Sequence, residues 1–286
     1  MIGSNGGAGT VDRCLAALEP QRDGAEVLAL EPVESPAEVR ERYPWARFET
    51  VPGATVPELW RDGIDRSHGT VVALTISPML PAPDWVETIR AELRDHGVVA
   101  GAIEPGPDLR PSDWAEYFCR YARDMLPFET HQSLDIPGDN CAYRRELLDR
   151  ARETYRDGFW EPVVNRRLAD SGEELWQAPR LVVRQGRSAG FRVFVRQRLT
   201  HGRAHGRQRG VRFGSTRNLI GVVASPAVPI LLTIRILREV LARRRHRAAA
   251  VASLPLIFAF NAAWAAGEAL GHLDALRGAE SQGAGG

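Results

Sequence analysis

With 286 residues, 44% of them hydrophobic, the chain can bury one sizeable core with room for an appendage. Three cysteines, Cys14, Cys119 and Cys141, are odd in number, far apart and without metal-ligand spacing, which excludes a disulfide framework and reads as reduced core thiols. The net charge of +1 hides two opposed parts: residues 1–174 hold 19 arginines against 32 acids, and residues 175–286 hold 18 against 4.

A basic part of this kind needs a polyanionic partner: a diphosphate, an anionic lipid surface or a nucleic acid. The chain has no lysine, so its arginine enrichment partly reflects the composition of a GC-rich bacterial genome. Met1-Ile2-Gly3-Ser4-Asn5-Gly6-Gly7 is glycine-rich and lacks the apolar segment of a secretory signal, so the bulk of the protein is expected to face the cytosol. Thr10 is placed to cap a helix that buries Val11, Cys14, Leu15 and Leu18, and residues 26–30 read as a short apolar strand. Ser35-Pro36-Ala37-Glu38 has the form of a capping box with proline at the first helical position, and residues 47–51 form the next strand. Residues 57–67 read as a helix and 71–74 as a strand; Asp84 with Glu87 caps a helix that stops at Gly97, before a strand over 98–103. Alternation of this kind predicts an α/β fold with a doubly wound, mostly parallel sheet and ligands at the carboxyl ends of the strands.

Between Gly69 and Trp85 a buried strand runs into a proline-rich turn and then a helix start. This segment resembles the central element of family 2 glycosyltransferases, which have the GT-A fold. Further pieces follow in that family's order. Ser4-Asn5-Gly6-Gly7 stands where the first strand hands over to a helix at the nucleotide, and Glu31 near the acid that in relatives contacts base or ribose. Gly138-Asp139-Asn140-Cys141-Ala142-Tyr143-Arg144-Arg145 is similar to the acceptor-side segment that carries a loop into a helix. Gly158-Phe159-Trp160-Glu161 is similar to the segment that supplies the catalytic carboxylate, and Arg196-Gln197-Arg198 with His201-Gly202-Arg203 to the basic motif beside the diphosphate. In the family the central strand ends in an Asp-x-Asp that holds a magnesium or manganese ion. Here Ile76, Ser77 and Met79 stand in its place, with no carboxylate before Asp84, so such an ion finds few hard oxygen ligands and no metal ligand is assigned.

The resemblance implies an inverting transfer from a nucleotide-diphosphate sugar to an acceptor hydroxyl. One carboxylate must remove the acceptor proton as its oxygen attacks the anomeric carbon. Glu161, flanked by Phe159, Trp160 and Pro162, is that base: partial desolvation would raise its pKa toward neutrality. Ser4, Asn5 and Glu31 fall to the donor, and Asp139, Asn140 and Trp160 to the acceptor. Arg198, His201 and Arg203 are the choice for neutralising the departing diphosphate in place of a metal. Plainer readings stand beside these. Glu31 is then a solvated strand-end acid, Asp139-Asn140 a turn capping a helix from near Arg144, and Trp160 a core anchor. Glu161 becomes a first-turn acid at a helix dipole, and the arginines a membrane-facing collar.

Residues 218–234 and 248–267 are uncharged apolar stretches, separated over 235–247 by a connector with six arginines and one glutamate. The second is just long enough to cross a bilayer and the first is marginal; a buried hairpin in a soluble domain is the alternative. Two crossings would put the arginine-rich connector outside, against the positive-inside rule, so monotopic or re-entrant attachment at the cytoplasmic side of the cell membrane is preferred. The expected organisation is a GT-A domain over 1–190, a basic connector over 191–217, a membrane-associated hairpin over 218–275 and a disordered tail over 276–286. The expected function is a membrane-associated glycosyltransferase acting on a lipid or saccharide acceptor at an anionic membrane surface. The alternatives are a catalytically inactive partner subunit and a nucleic-acid-binding module, the latter disfavoured because no RNA-reading aromatic motif is present.

Overall fold

The computed structural model describes residues 1–4, 8–186 and 190–283, with side chains outside the description at 8, 211–217 and 278–283. The chain forms two compact units, Met1–Pro107 with Asp124–Arg187, and Asp108–Arg123 with Ser188–Gly286. In the first unit β1 (Ile2–Gly3) is followed by α1 (Ala8–Leu18), β2 (Leu28–Glu31), α2 (Ala37–Arg42), β3 (Arg47–Thr50) and α3 (Val56–Arg66). Then come β4 (Val71–Ile76), β5 (Met79–Pro81), α4 (Trp85–Asp95) and β6 (Val98–Pro105). After α5 (Pro111–Tyr121), which belongs to the second unit, the first resumes with β7 (His131–Gln132), β8 (Asn140–Arg144), α6 (Arg145–Arg150), α7 (Glu161–Asp170) and β9 (Leu175–Gln185).

Among the described residues these strands form one nine-stranded sheet in the order β3-β2-β1-β4-β8-β6-β9-β5, with β7 also against β9. β1, β2, β3, β4, β6 and β9 share one direction, and β5, β7 and β8 oppose it. All eight residues of β6 are buried, and the apolar run over residues 98–103 is that of a strand covered on both faces. Its Gly101 sits at a shift of register against β9, where a Cβ would come within 1.8 Å of the Leu181 carbonyl oxygen, so the bulge requires glycine. The α1 stripe Val11, Cys14, Leu15 and Leu18 is buried as its spacing predicted.

Local start signals fared less evenly. α1 begins at Ala8, so Thr10 lies inside its first turn and its hydroxyl donates to Ser77 Oγ at 2.9 Å instead of capping. Ser35 is not a cap for α2; its side chain and backbone N–H are both turned to Glu31. A capping box forms instead at α3, where the Glu58 carboxylate accepts from Thr55 N–H at 2.7 Å. Residues 140–144, expected as a loop entering a helix, form the antiparallel strand β8, and the helix starts one residue later at Arg145. The reason is burial: Asn140 to Tyr143 are inaccessible between β4 and β6, where only an extended ladder satisfies their backbone groups.

The second unit is all helical among the described residues: α5, α8 (Phe191–Ala224), a short 3-10 turn at Ser225–Ala227, α9 (Val228–Arg243) and α10 (Arg247–Gly283). The supposed connector over 191–217 is helical and continuous with the start of the first apolar stretch, and most of the 235–247 connector is the last part of α9. Only a turn remains between α9 and α10, with Arg244 and His246 at positive φ. Helix continues through Gly278, where the expected tail begins to lack an apolar pattern, as far as Gly283.

α8 and α10 approach closely because glycines remove the side chains between them. A Cβ on Gly202 or Gly206 would lie 2.2 Å from the carbonyl oxygen of Trp264 or Glu268, and one on Gly267 or Gly271 2.1 or 2.2 Å from that of Leu199 or Arg203. The spacing of four in both helices is the small-residue pattern of tightly packed membrane helices. Residues Asn218–Arg243 and Arg247–Arg277 are long and apolar enough to cross a membrane, with mean hydropathies of 2.0 and 1.6. Their apolar side chains are largely outside the helical packing, with Val223 73% and Val251 69% exposed. Such a surface on a soluble protein would be a liability.

Candidate active site

The carboxyl ends of the parallel strands collect several of the residues singled out from sequence. Ser4, just past β1, is buried and its N–H donates to Leu30 O at 2.8 Å, while Ser77, just past β4, donates its N–H to Gly3 O at 3.1 Å. β8 runs antiparallel to β4, so its start lies beside the end of that strand: Thr75 opposes Asn140, and the Thr75 hydroxyl donates to Asp139 O at 3.0 Å. Glu161 opens α7 and lies against the same loop. A Cβ on Gly138 would come within 2.4 Å of Glu161 Cγ and Oε1, so the carboxylate occupies the space that only a glycine leaves.

Electrostatics report the same juxtaposition. Burial pushes the Cys141 thiol well above its usual pKa; Tyr143 pulls it back through a hydrogen bond, and the charges of Glu161 and Asp139 raise it further. Burial, Cys141 and then Glu161 also raise the Tyr143 hydroxyl, which donates to Asn165 Oδ1 at 2.9 Å. Trp160, preceding Glu161, keeps 49% of its surface exposed, whereas Phe159 is buried against Trp60, Tyr143 and Tyr155. The fold thus presents one carboxylate on an anchored helix start, a second acid in the facing loop and an open aromatic face.

Two other sequence candidates are engaged in structure. The Glu31 carboxylate is buried rather than solvated and accepts from Ser35 N–H at 3.0 Å and Arg40 Nη2 at 2.6 Å, which pins the loop after β2. The Asn140 amide is wholly buried, donating to Ala102 O at 2.9 Å and Leu181 O at 3.0 Å and accepting from Trp85 Nε1 at 2.8 Å. Its side chain ties β8 to β6, β9 and the start of α4 and is spent there, so it is not available to an acceptor. Asn5 lies outside the described residues.

Arg198, His201 and Arg203 belong to the second unit. Arg203 Nε and Nη2 hold Asp274 at 2.6 and 3.0 Å, and Arg198 donates to Asn261 Oδ1 at 3.2 Å with its guanidinium 4.4 Å from the Trp264 ring centre. Burial lowers the His201 pKa, as do the neighbouring cations Arg120 and Arg198. A cation that sequence reasoning passed over lies in the first unit. Arg13 projects from α1, with Nη2 3.9 Å from where a Cβ on Gly186 would stand, beside the loop that joins β4 to β5. The signal was an arginine one turn into the helix that follows the glycine run. Beside it Gln185, at the end of β9, has a buried Oε1 without a hydrogen-bond partner.

The residues present do not fit a divalent ion held by paired strand-end carboxylates. Ser77 and Met79 are buried, Ser77 is bonded to Thr10, and among the described residues no three His, Cys, Asp or Glu side chains gather.

No protein-family model and no curated protein matches the sequence. Among solved structures, the mannosyltransferase PcManGT from Pyrobaculum calidifontis, in complex with GDP-Man and Mn2+, aligns over 96% of this chain and 84% of its own at a TM-score of 0.50 and 17% identity. The fold is of the GT-A type. TarS 1-349 from S. aureus aligns over 89% of this chain and 87% of its own at 0.49 and 11% identity. GalNAc-T7 with UDP, GalNAc and Mn2+ aligns over 63% and 41% at 0.46 and 13%; nothing rests on these two weaker likenesses. At such identities the likeness to PcManGT extends to the fold alone.

Proposed function

We propose that this protein is a GT-A glycosyltransferase that moves a sugar from a nucleotide-diphosphate donor to an acceptor hydroxyl with inversion, and that Glu161 is the base. The observation that carries the reading is the seating of the Glu161 carboxylate against Gly138, next to Asp139 and the exposed Trp160, at the carboxyl ends of the sheet. A base must meet the acceptor proton from a fixed position, and a side chain at the anchored start of a helix is so fixed. Asp139 is assigned to orienting the acceptor and Trp160 to the sugar face. Ser4 lines the donor side. For the charge that develops on the leaving diphosphate the proposal turns to Arg13, which shares a unit with Glu161, whereas Arg198 and Arg203 belong to the second unit and Arg203 is already paired with Asp274. The helices α9 and α10 attach the protein to the cytoplasmic face of a membrane.

Replacement Glu161→Gln tests the assignment. The amide keeps the shape and cannot accept a proton, so turnover should fall about 100-fold or more while donor affinity changes little. Near-normal turnover would remove Glu161 as base and leave Asp139. A second reading is favoured by one observation, the absence of carboxylates at Ser77, Pro78 and Met79: a catalytically silent partner subunit that still binds donor. Donor binding with no hydrolysis or transfer in any acceptor panel would select it.

A further inference from the structure

The second unit contains a cavity of about 540 Å3 among the end of α5 and α8, α9 and α10, well within the range of small-ligand sites. Its lining is sharply divided. One stripe of α9, Val228, Leu231, Leu232 and Ile236, supplies an apolar wall, in which Leu231 is 63% exposed. Around that wall stand five arginines against two glutamates. The glutamates are already matched, Glu239 to Arg243 and Glu268 to Arg209. Arg198 and Arg235 line the cavity with no carboxylate partner among the described residues.

The position of Arg198 is the more demanding. Its guanidinium is largely withdrawn from water, stacked on Trp264, and bonded only to neutral oxygens of Asn261 and Phe260, with Arg120 near enough to add repulsion. A partly desolvated cation beside another cation is costly unless an anion completes it. Phosphate oxygens accept two parallel bonds from a guanidinium and suit such a fork. An anion alone would leave the stripe of α9 uncovered; an anion on an apolar chain covers both. The stripe lies in Asn218–Arg243, a segment apolar enough to sit in a membrane, so the chain would meet it from the surrounding lipid.

We propose that this cavity is a binding site for the phosphate headgroup of an anionic lipid, held by Arg198 and Arg235, with the acyl chain along Val228, Leu231 and Leu232. The site does not depend on the transfer reaction proposed above.

The test uses full-length protein in a neutral maltoside detergent, titrated with phosphatidic acid carrying a fluorescent acyl chain, with the matching phosphatidylcholine, and with inorganic phosphate as competitor. Phosphatidic acid should bind saturably and at least about tenfold more tightly than phosphatidylcholine, and inorganic phosphate at equal concentration should not displace it. Arg235→Gln and Arg198→Gln should each weaken binding by about tenfold, while Arg192→Gln, an exposed arginine of α8 outside the cavity, should leave it within about twofold. Arg198 also ties α8 to α10, so if Arg198→Gln unfolds, the exposed Arg235 carries the comparison. Equal affinity for the two lipids would reduce the cavity to an apolar seam, displacement by inorganic phosphate would make it a free-anion site, and an equal loss with Arg192→Gln would assign the attraction to diffuse surface charge. Each result would overturn the proposal.

Discussion

Some side chains in this protein are wholly spent on building the sheet. Asn140 is the clearest builder. Replacing it by alanine strands the Trp85 indole N–H and the carbonyls of Ala102 and Leu181 in the core, so Asn140→Ala should cost roughly 2–4 kcal/mol, read as a lower urea midpoint with an unchanged slope. A loss below about 1 kcal/mol would mean that the amide is replaceable there and return it to the acceptor side. The thiols are equally structural: burial raises Cys14 and Cys119 to about 12, leaving almost no thiolate at neutral pH. Donor binding belongs to this scale as well. Since Ser77, Pro78 and Met79 at the strand end offer no carboxylate, the proposed function predicts that calorimetric titration with GDP- and UDP-sugars in excess chelator still registers binding. Binding that appears only on adding manganese would show that Asp139 and Glu161 assemble a metal site of their own.

At the level of elements, the pairing of α8 with α10 rests on backbone contact that tolerates no side chain. Gly206→Ala should therefore destabilise the helical unit by about 1–3 kcal/mol despite alanine's better helix propensity. Gly9 in α1 has nothing within 4 Å of its would-be Cβ, so Gly9→Ala should be neutral or gain up to about 1 kcal/mol. Thermal unfolding of both variants in the same detergent separates close packing from simple propensity; a neutral Gly206→Ala would remove the packing argument. The element scale is also where local signals were overruled. Ser35 had the sequence of a cap and was claimed by a buried carboxylate, while Thr55 with Glu58 had the same pattern and formed the box, because there the acid met no competing partner.

At the scale of the whole molecule, the two apolar helices and the turn between them bear on the proposed attachment. The turn between α9 and α10 carries Arg244 and Arg245, with Arg243 and Arg247 at the flanking helix ends, and lies between two segments able to cross a bilayer. Arginines near an anionic leaflet contribute about 1 kcal/mol each, which favours keeping that turn at the cytoplasmic face. A cysteine at Arg244 in the full-length protein should accordingly react with a membrane-impermeant maleimide only in inside-out vesicles. Labelling in right-side-out vesicles alone would require a two-pass hairpin.

The sequence by itself determined the alternation of strands and helices, the buried stripe of α1, the opposed charges of the two parts and the apolar character of the last helices, because each is written in local periodicity and composition. It also placed Glu161 and Asp139 among the candidates. Only the tertiary structure decided that residues 140–144 are a central antiparallel strand, that α5 joins the helices rather than the sheet, that Glu31 and Asn140 are consumed as internal partners, and that Gly138 makes room for Glu161. Glu31 is claimed from nearby, by Ser35 and Arg40, but the others depend on which distant segments meet at one amide or one gap in the packing, and such meetings leave no local pattern to read.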